Sequence, residues 1–211
     1  SQMLAEKNPE LVDGVILACP AANPQNALIA YFGDALWGFK ALFDPTIKVG
    51  GYSTDPATRV AEQYANIGKI LTVLSKLSAG LSSGAWPDTA SPAGKALQAA
   101  GIPSRSALLT VGLMAGVSTR SKHVDGTSGP TGAAETYPLA VAPAVAILEN
   151  MGATLNYATL LIADGELLAG GKVYDNTKTD YAARVAADAD IYSFALSGNS
   201  AVAGIIGALA A

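Results

Sequence analysis

Helix start signals recur along this sequence, and they constrain the fold more than any other feature. Asp55-Pro56 combines an N-cap carboxylate with a proline at the first helical position, and Ser91-Pro92 repeats the pattern with a hydroxyl. Because helix follows helix with few strand patterns between, the sequence predicts a mostly α fold. Signals of the same kinds predict further helices over residues 103–116, 138–152 and 179–188, the first of them apolar almost all round and therefore buried.

The helix after Asp55 has a broad apolar stripe that predicts its packing face. Its apolar residues recur every three or four positions, which is the spacing of one helix face. The stripe consists of Val60, Tyr64, Ile67, Leu71 and Leu74, widened by Ile70, Val73 and Leu77. The charges on this helix are of both signs, which favours core packing over the alternatives of a membrane-surface or partner-binding helix.

A continuous apolar run near the start of the chain predicts one strand. The run from Gly14 to Cys19 contains no polar residue and ends at Pro20. Such a run is typical of a strand covered on both faces in a parallel sheet. The only comparable run, residues 158–163, is short enough to be strand or helix. We therefore expect the first strand to pair with another molecule, with another part of a larger protein, or in a small sheet with an open edge.

The charge and residue counts exclude several function classes. The 13 basic and 17 acidic residues leave a formal charge of −4 without a dense basic cluster, so nucleic acid is not a predicted partner. With Cys19 as the only cysteine, we predict no disulfide, metal site or cofactor. The long uncharged stretch 191–211 is interrupted by polar residues, which favours a buried helix after Asn199 over a membrane span. We predict a soluble chain; a secreted parent protein would carry its signal peptide upstream of Ser1.

The scarcity of histidine limits the nucleophilic chemistry that this chain can perform. His123 is the only histidine, and its neighbours Asp125 and Ser128 share one polar loop, whereas triad members come from separate elements. A Gly-x-Ser-x-Gly pattern around Ser82, at residues 80–84, follows a helix instead of the strand that a nucleophile elbow needs. We therefore predict a surface histidine, a helix C-terminus at residues 80–84, and no catalytic residue.

Two glycine pairs and several neighbouring carboxylates receive structural interpretations. Gly50-Gly51 and Gly170-Gly171 do not continue into a phosphate-binding motif, so both pairs are predicted to be turns. Acidic residues close together in sequence are predicted to be solvated and not to form a glycosidase or metal site. These residues are Asp164 and Glu166, and Asp188 and Asp190.

An aromatic cluster follows the predicted strand and gives the candidates for a substrate pocket. The cluster consists of Tyr31, Phe32, Trp37, Phe39 and Phe43. Such spacing is typical of a helix packed into a core, which is the alternative interpretation. A dense aromatic segment directly after a sheet strand is also where a cap would line a hydrophobic or acyl site.

Two segments resemble α/β-hydrolases. Residues 4–22 contain a helix end, a turn at Asn8-Pro9 and the apolar strand, and they resemble the stretch that follows the nucleophile elbow in that family. Residues 171–184 resemble the closing part of a long cap in bacterial esterase-like members. The resemblance implies that residues 1–25 are a fragment of the hydrolase core with one parallel-type strand. It implies that residues 26–211 are a helical cap or lid domain.

The resemblance also implies a function without supplying a catalytic residue. The family's serine precedes this segment, and its acid and histidine usually follow the cap, so no triad residue is carried over onto this chain. The cap would shape the apolar pocket of a serine hydrolase for an ester or other acyl substrate. Its partners would be that substrate and either the remaining hydrolase core or a second copy of the chain. The alternative is an independent helical interaction or packing domain with no catalytic activity.

Overall fold

The computed structural model describes residues 25–117, 142–187 and 200–210. Within these residues there are seven helices and no strand, so the prediction of a mostly α fold is confirmed for this part of the chain. The helices are α1 (Gln25–Leu42), α2 (Pro56–Gly80), α3 (Pro92–Ala99), α4 (Ser104–Met114), α5 (Ala142–Ala169), α6 (Tyr181–Ala187) and α7 (Ser200–Ala210). The predicted strand from Gly14 to Cys19 and the loop with His123 lie outside the described residues.

Local capping residues explain where three of the helices begin. The Asp55 carboxylate accepts the backbone N–H of Thr58 at 2.8 Å, and the Ser91 hydroxyl accepts that of Gly94 at 3.0 Å. At the start of α6, the Asp180 carboxylate accepts the N–H of Ala183 at 2.9 Å. Each bond satisfies one of the free N–H groups in the first turn of a helix. The predicted helix starts at these three positions are confirmed.

Helix α5 extends beyond the end that the sequence predicts. We expected an end at Gly152, but the helix continues to Ala169 and includes residues 158–163, which the sequence left open between strand and helix. A glycine inside a helix costs about 1 kcal/mol relative to alanine. Burial of one large side chain stabilises by about 1.5–3 kcal/mol, and the fully buried Met151, Leu155 and Ile162 therefore outweigh that cost.

Helices α4 and α5 form the centre of the bundle. Helix α5 packs against α1, α2 and α4, while α4 also contacts α1 and α7. Nine of the 11 residues of α4 are buried, which confirms the predicted central helix. The two helices approach closely at Gly112, where a Cβ atom would lie 2.5 Å from a methyl carbon of Ile147. A larger residue at Gly112 would therefore push α4 and α5 apart.

The buried face of α2 coincides only in part with the predicted apolar stripe. Val60, Tyr64 and Leu71 are 44%, 72% and 49% exposed, so the prediction is wrong for these three residues. The buried face includes Gln63 and Asn66 instead. Asn66 forms hydrogen bonds that it could not form on the outer side, and buried polar groups require such partners. Four other buried residues of α2 agree with the prediction: Ile70, Val73, Leu74 and Leu77.

Two apolar helices bear on the question of a membrane. Among the described residues, Ala144–Ala169 within α5 is long and apolar enough to cross a membrane by length and composition. In the bundle, 44% of its apolar window is buried, and core helices of soluble proteins also meet these criteria. At the other end of the chain, Ile205 and Leu209 of α7 are buried, which confirms the predicted buried helix within 191–211 for its described part.

Candidate functional site

A cavity of about 540 Å³ lies where the loop between α1 and α2 meets the C-terminal end of α5. This volume is within the range of small-molecule sites in proteins. Two side chains of α1, the loop 48–54, three residues of α5 and the segment after α5 form its wall. These are Trp37, Lys40, residues 48–54, Ala163, Glu166, Leu167, residues 170–172, Tyr174 and Asn176.

Glu166 fixes the loop at the cavity wall. Its carboxylate accepts the N–H of Gly51 at 2.8 and 2.9 Å and the N–H of Tyr52 at 3.0 Å. Gly51 has a φ of 71°, a left-handed conformation that favours glycine. A Cβ atom on Gly50 would lie 2.6 Å from Glu166 Oε1, so this position also needs glycine. Two successive N–H groups form a small anion-binding concavity, which the chain fills with its own carboxylate.

These contacts decide two sequence interpretations. Gly51 and Gly170 have positive φ angles of 71° and 67°; Gly170 lies in a turn, as predicted, and Gly50 in a bend of the loop. The prediction of solvated carboxylates holds for Asp164, whose side chain is 63% exposed, and is wrong for Glu166, which is 9% exposed. Two positions along a helix correspond to a rotation of about 200°, so the two carboxylates face opposite sides. Asp188 and Asp190 lie outside the described residues.

Asn66 holds the other side of the loop. Its side chain accepts the N–H of Lys48 at 2.7 Å, donates to the Lys48 carbonyl at 2.9 Å and donates to the Tyr52 hydroxyl at 3.0 Å. Burial raises the pKa of Tyr52 to about 12, and the charge of Glu166 adds to this effect. Hydrogen bonds from Thr159 and Asn66 oppose it. The Tyr52 hydroxyl is therefore protonated at neutral pH, and it donates to the Lys48 carbonyl at 3.3 Å.

Four charged residues line the cavity: Lys40, Lys48 and Lys172 are basic, and Glu166 is acidic. Lys48 forms an ion pair with Glu62 at 2.7 Å. Neither Lys40 nor Lys172 forms an ion pair with another residue in the described part of the chain. The cavity is therefore basic within a chain whose formal charge is −4.

Of the five aromatic candidates, only Trp37 lines the cavity. Its indole N–H donates to the carbonyl of Leu209 at 3.0 Å, which holds the ring in place. Phe39 and Phe43 are fully buried in the core with ring centroids 5.1 Å apart. The two remaining rings lie elsewhere on α1: Phe32 is partly buried against the core, and Tyr31 is 37% exposed beneath the Arg184 guanidinium.

The Gly-x-Ser-x-Gly pattern is a helix end, as predicted. The N–H groups of Gly84 and Ala85 donate to the Gly80 carbonyl at 2.8 and 3.1 Å, which closes the last turn of α2. Ser82 is exposed, and its carbonyl accepts a hydrogen bond from Arg105 at 2.9 Å. The described residues include no histidine. Ser82 therefore has no imidazole base in this part of the chain.

A second buried carboxylate, Asp34, joins α1 to the segment around α6. It accepts hydrogen bonds from the Tyr174 hydroxyl at 2.7 Å and the Tyr181 hydroxyl at 3.2 Å, and it forms an ion pair with Arg184. The Asp34 side chain is only 2% exposed. Burial and the Asp34 charge raise the pKa of Tyr174 well above its usual range. Burial is also the main cause that raises the pKa of Tyr181 to about 12.

Sequence reasoning missed Glu166 and the three lysines of the cavity. Glu166 had one usable signal, since it is one of two carboxylates, with Asp164, in the otherwise apolar segment 158–169. A charge in such a segment is often placed to receive hydrogen bonds inside the fold. No such signal identified Lys40, Lys48 and Lys172. Lys172 is far from the other two lysines in sequence, and only the packing of α5 on α1 brings the three together.

The described residues thus define a helical bundle with a basic cavity that has one aromatic wall. No protein-family model, no curated protein and no solved structure matches the chain.

Proposed function

We propose that this chain is the helical cap of a serine α/β-hydrolase and that its cavity forms part of the binding site for an ester or other acyl substrate. In this proposal residues 1–25 belong to the hydrolase core. The observation that carries the proposal is the Trp37 ring in the wall of a cavity of about 540 Å³. The resemblance of residues 4–22 and 171–184 to that family supports the same function.

The cavity has the two kinds of wall that an acyl site needs. Trp37, Val49, Ala163 and Leu167 contribute apolar surface, and burial of apolar ligand area is the main source of affinity in such sites. The loop held by Glu166 also contributes polar residues, among them Ser53 and Thr54. A few fixed polar groups beside an apolar wall orient a ligand, which is what a cap does for a substrate.

The catalytic residues in this proposal come from other parts of the enzyme. A serine without a positioned base loses several orders of magnitude in rate. We therefore expect the 211-residue chain alone to show no hydrolysis of p-nitrophenyl butyrate above the buffer rate. Hydrolysis that disappears in Ser82→Ala or His123→Ala would contradict this expectation.

Ligand binding at the Trp37 wall is tested with the two tryptophans as a matched pair. In Trp86→Phe, Trp37 is the only tryptophan, and titration with methyl decanoate should shift its fluorescence saturably. In Trp37→Phe, the remaining Trp86 lies against Phe43 in the core and should not respond. A response in neither variant, with both folded by circular dichroism, would contradict an acyl site at this cavity.

The role as a cap is tested on the protein as its source produces it. Intact-mass measurement together with the flanking coding sequence shows whether a Gly-x-Ser-x-Gly precedes Ser1 in the same polypeptide. Its presence shortly before Ser1 supports the hydrolase proposal. A mature protein without that pattern would leave the interaction domain as the better candidate.

An independent helical interaction domain is the second candidate, and exposed apolar side chains favour it. Tyr64 on α2 is 72% exposed, and Tyr157 and Leu168 on α5 are 68% and 88% exposed. Exposed apolar residues that form a continuous patch commonly mark protein contacts. Self-association of the chain in sedimentation equilibrium, lost in a Tyr64→Ser/Leu168→Ser variant, would favour this candidate.

A further inference from the structure

We propose that the cavity binds an anionic amphiphile, an acyl chain that ends in a carboxylate or a phosphate. Lys40 and Lys172 would hold the anionic group. The proposal rests on the proposed function for the apolar part of the site, and it deepens that function by assigning a charge to the ligand.

The charge at the cavity favours an anionic ligand. Three lysines and one glutamate line it, and only Lys48 of the three lysines has an ion pair, although the whole chain has a formal charge of −4. A concave wall with charges of one sign concentrates its field in the cavity and attracts ligands of opposite charge. A neutral ester alone gives no reason for three lysines at this position.

The one carboxylate of the wall already has its partners. Glu166 accepts three hydrogen bonds from the N–H groups of Gly51 and Tyr52, and these donors offset its negative charge. It therefore holds the loop and does not form an ion pair with Lys40 or Lys172. Two ammonium groups remain available to an anion that enters the cavity.

Two acidic residues near the lysines, Glu62 and Asp175, leave Lys40 and Lys172 without an ion pair. Glu62 is engaged by Lys48 at 2.7 Å and by the N–H of Ser53 at 2.8 Å. Asp175 is outside the cavity wall, and its carboxylate accepts the N–H of Thr177 at 3.0 Å. That hydrogen bond is the main cause that lowers the pKa of Asp175, and the charge of Lys172 lowers it less.

The same cavity has an apolar wall for the chain of the ligand. Trp37, Val49, Ala163 and Leu167 face it, and none of these side chains offers an anion partner apart from the Trp37 N–H, which is bound to Leu209. A simple anion would gain nothing from this wall. A ligand with both an apolar chain and an anionic end uses both parts of the cavity.

Calorimetric titration of the 211-residue chain with four probes tests the proposal. The probes are decanoate, decyl phosphate, neutral decanol and inorganic phosphate, each below its aggregation concentration. We expect decanoate or decyl phosphate to bind about tenfold more tightly than decanol, because two lysine contacts at a partly exposed site strengthen binding by about that factor. The anionic ligand should lose most of this preference in high salt. Which of the two anions binds more tightly identifies the natural headgroup.

Lysine variants show where the anion binds. Lys40→Gln/Lys172→Gln should lose about tenfold in affinity for the anionic probe and keep its weak affinity for decanol. Lys95→Gln, on the exposed surface of α3, is the matched control and should bind like the unmodified chain. An unchanged affinity in the double variant, with the fold preserved, would overturn the assignment of the lysines.

The remaining outcomes separate this proposal from the proposed function. Equal affinities for decanol and the anionic probes would overturn the anionic ligand and leave an acyl site intact. Binding of none of the probes would overturn both. Binding of inorganic phosphate as tightly as decyl phosphate would show a simple anion site and would also overturn the amphiphile.

Discussion

Asp34 and Glu166 are both buried carboxylates, but the groups that hold them differ. Asp34 receives two tyrosine hydroxyls and the guanidinium of Arg184, so its charge is matched by an opposite charge. Glu166 receives only backbone N–H groups, from the loop that forms the cavity wall. Asp34, which is bound by side chains, therefore joins two segments of the chain. Glu166, which is bound by backbone N–H groups, shapes a loop and leaves Lys40 and Lys172 available.

Removal of Asp34 should have the largest effect. In Asp34→Ala, the Arg184 guanidinium and two tyrosine hydroxyls lose their acceptor, and breaking a buried ion pair costs about 3–5 kcal/mol. Urea unfolding of the chain measures this loss of stability. Asp88→Ala is the control, since that side chain is 80% exposed, and it should leave the unfolding midpoint unchanged. A loss in Asp34→Ala no larger than in the control would contradict a joining role.

Removal of Glu166 should cost less and act on a different segment. Glu166→Ala leaves the N–H groups of Gly51 and Tyr52 without their acceptor, and loss of a charged acceptor costs about 1.5–3 kcal/mol. Amide hydrogen exchange should speed up at these two residues and remain slow around Tyr181. If exchange at residues 51 and 52 does not change, Glu166 does not hold the loop.

Alkaline pH should weaken the Asp34 cluster. Tyr181 has a folded-state pKa of about 12 against an ordinary value of 10.0, so between these values the unfolded state binds fewer protons than the folded state. Stability is therefore complete below pH 10 and falls as pH rises towards 12, by up to about 1.4 kcal/mol per pH unit for this residue.

Urea unfolding between pH 8 and 11.5 checks how stability falls with pH in the unmodified chain and in Tyr181→Phe. The variant should lose less stability over the upper part of the range, while Tyr64→Phe, whose ring is 72% exposed, should behave like the unmodified chain. Parallel pH profiles for all three proteins would show that Tyr181 is not responsible.

Two glycine substitutions give the smallest effects and have opposite signs. Gly50→Ala forces a Cβ atom to 2.6 Å from Glu166 Oε1, and overpacking of this kind costs about 1 kcal/mol or more. Gly68→Ala, on an open side of α2, should stabilise the chain by about 0.5–1 kcal/mol. Thermal unfolding of both variants gives the comparison. Equal midpoints would mean that Gly50 is not close to the carboxylate.

The features that the sequence predicts well depend on local bonds. Asp55, Ser91 and Asp180 cap the helices that they precede, because each carries its acceptor within three residues of the N–H that it binds. The buried character of α4 was also predictable, since its sequence is apolar on nearly every side. Such features need no knowledge of which helices pack together.

The features that the sequence does not predict depend on distant partners. Asn66 turns α2 towards Lys48 and Thr159, and this exposes Tyr64 and Leu71, which share the helical spacing of a core stripe. The cavity combines Lys40 with Lys172 in the same way, through the packing of α5 on α1. Apolar spacing identifies the sides of a helix that can pack, and the hydrogen bonds of polar residues then select among them.

Nuclear magnetic resonance of the isotope-labelled chain tests most directly whether a ligand binds at the cavity beside Glu166 and not at the Asp34 cluster. Decanoate is titrated while the backbone amide signals and the Trp37 indole signal are followed. We predict saturable shifts of Gly51, Tyr52 and the Trp37 indole, with the amides of Asp34 and Tyr181 unmoved. Shifts confined to the exposed residues of α2 and α5, or equal shifts at both carboxylates, would contradict a ligand site at Glu166.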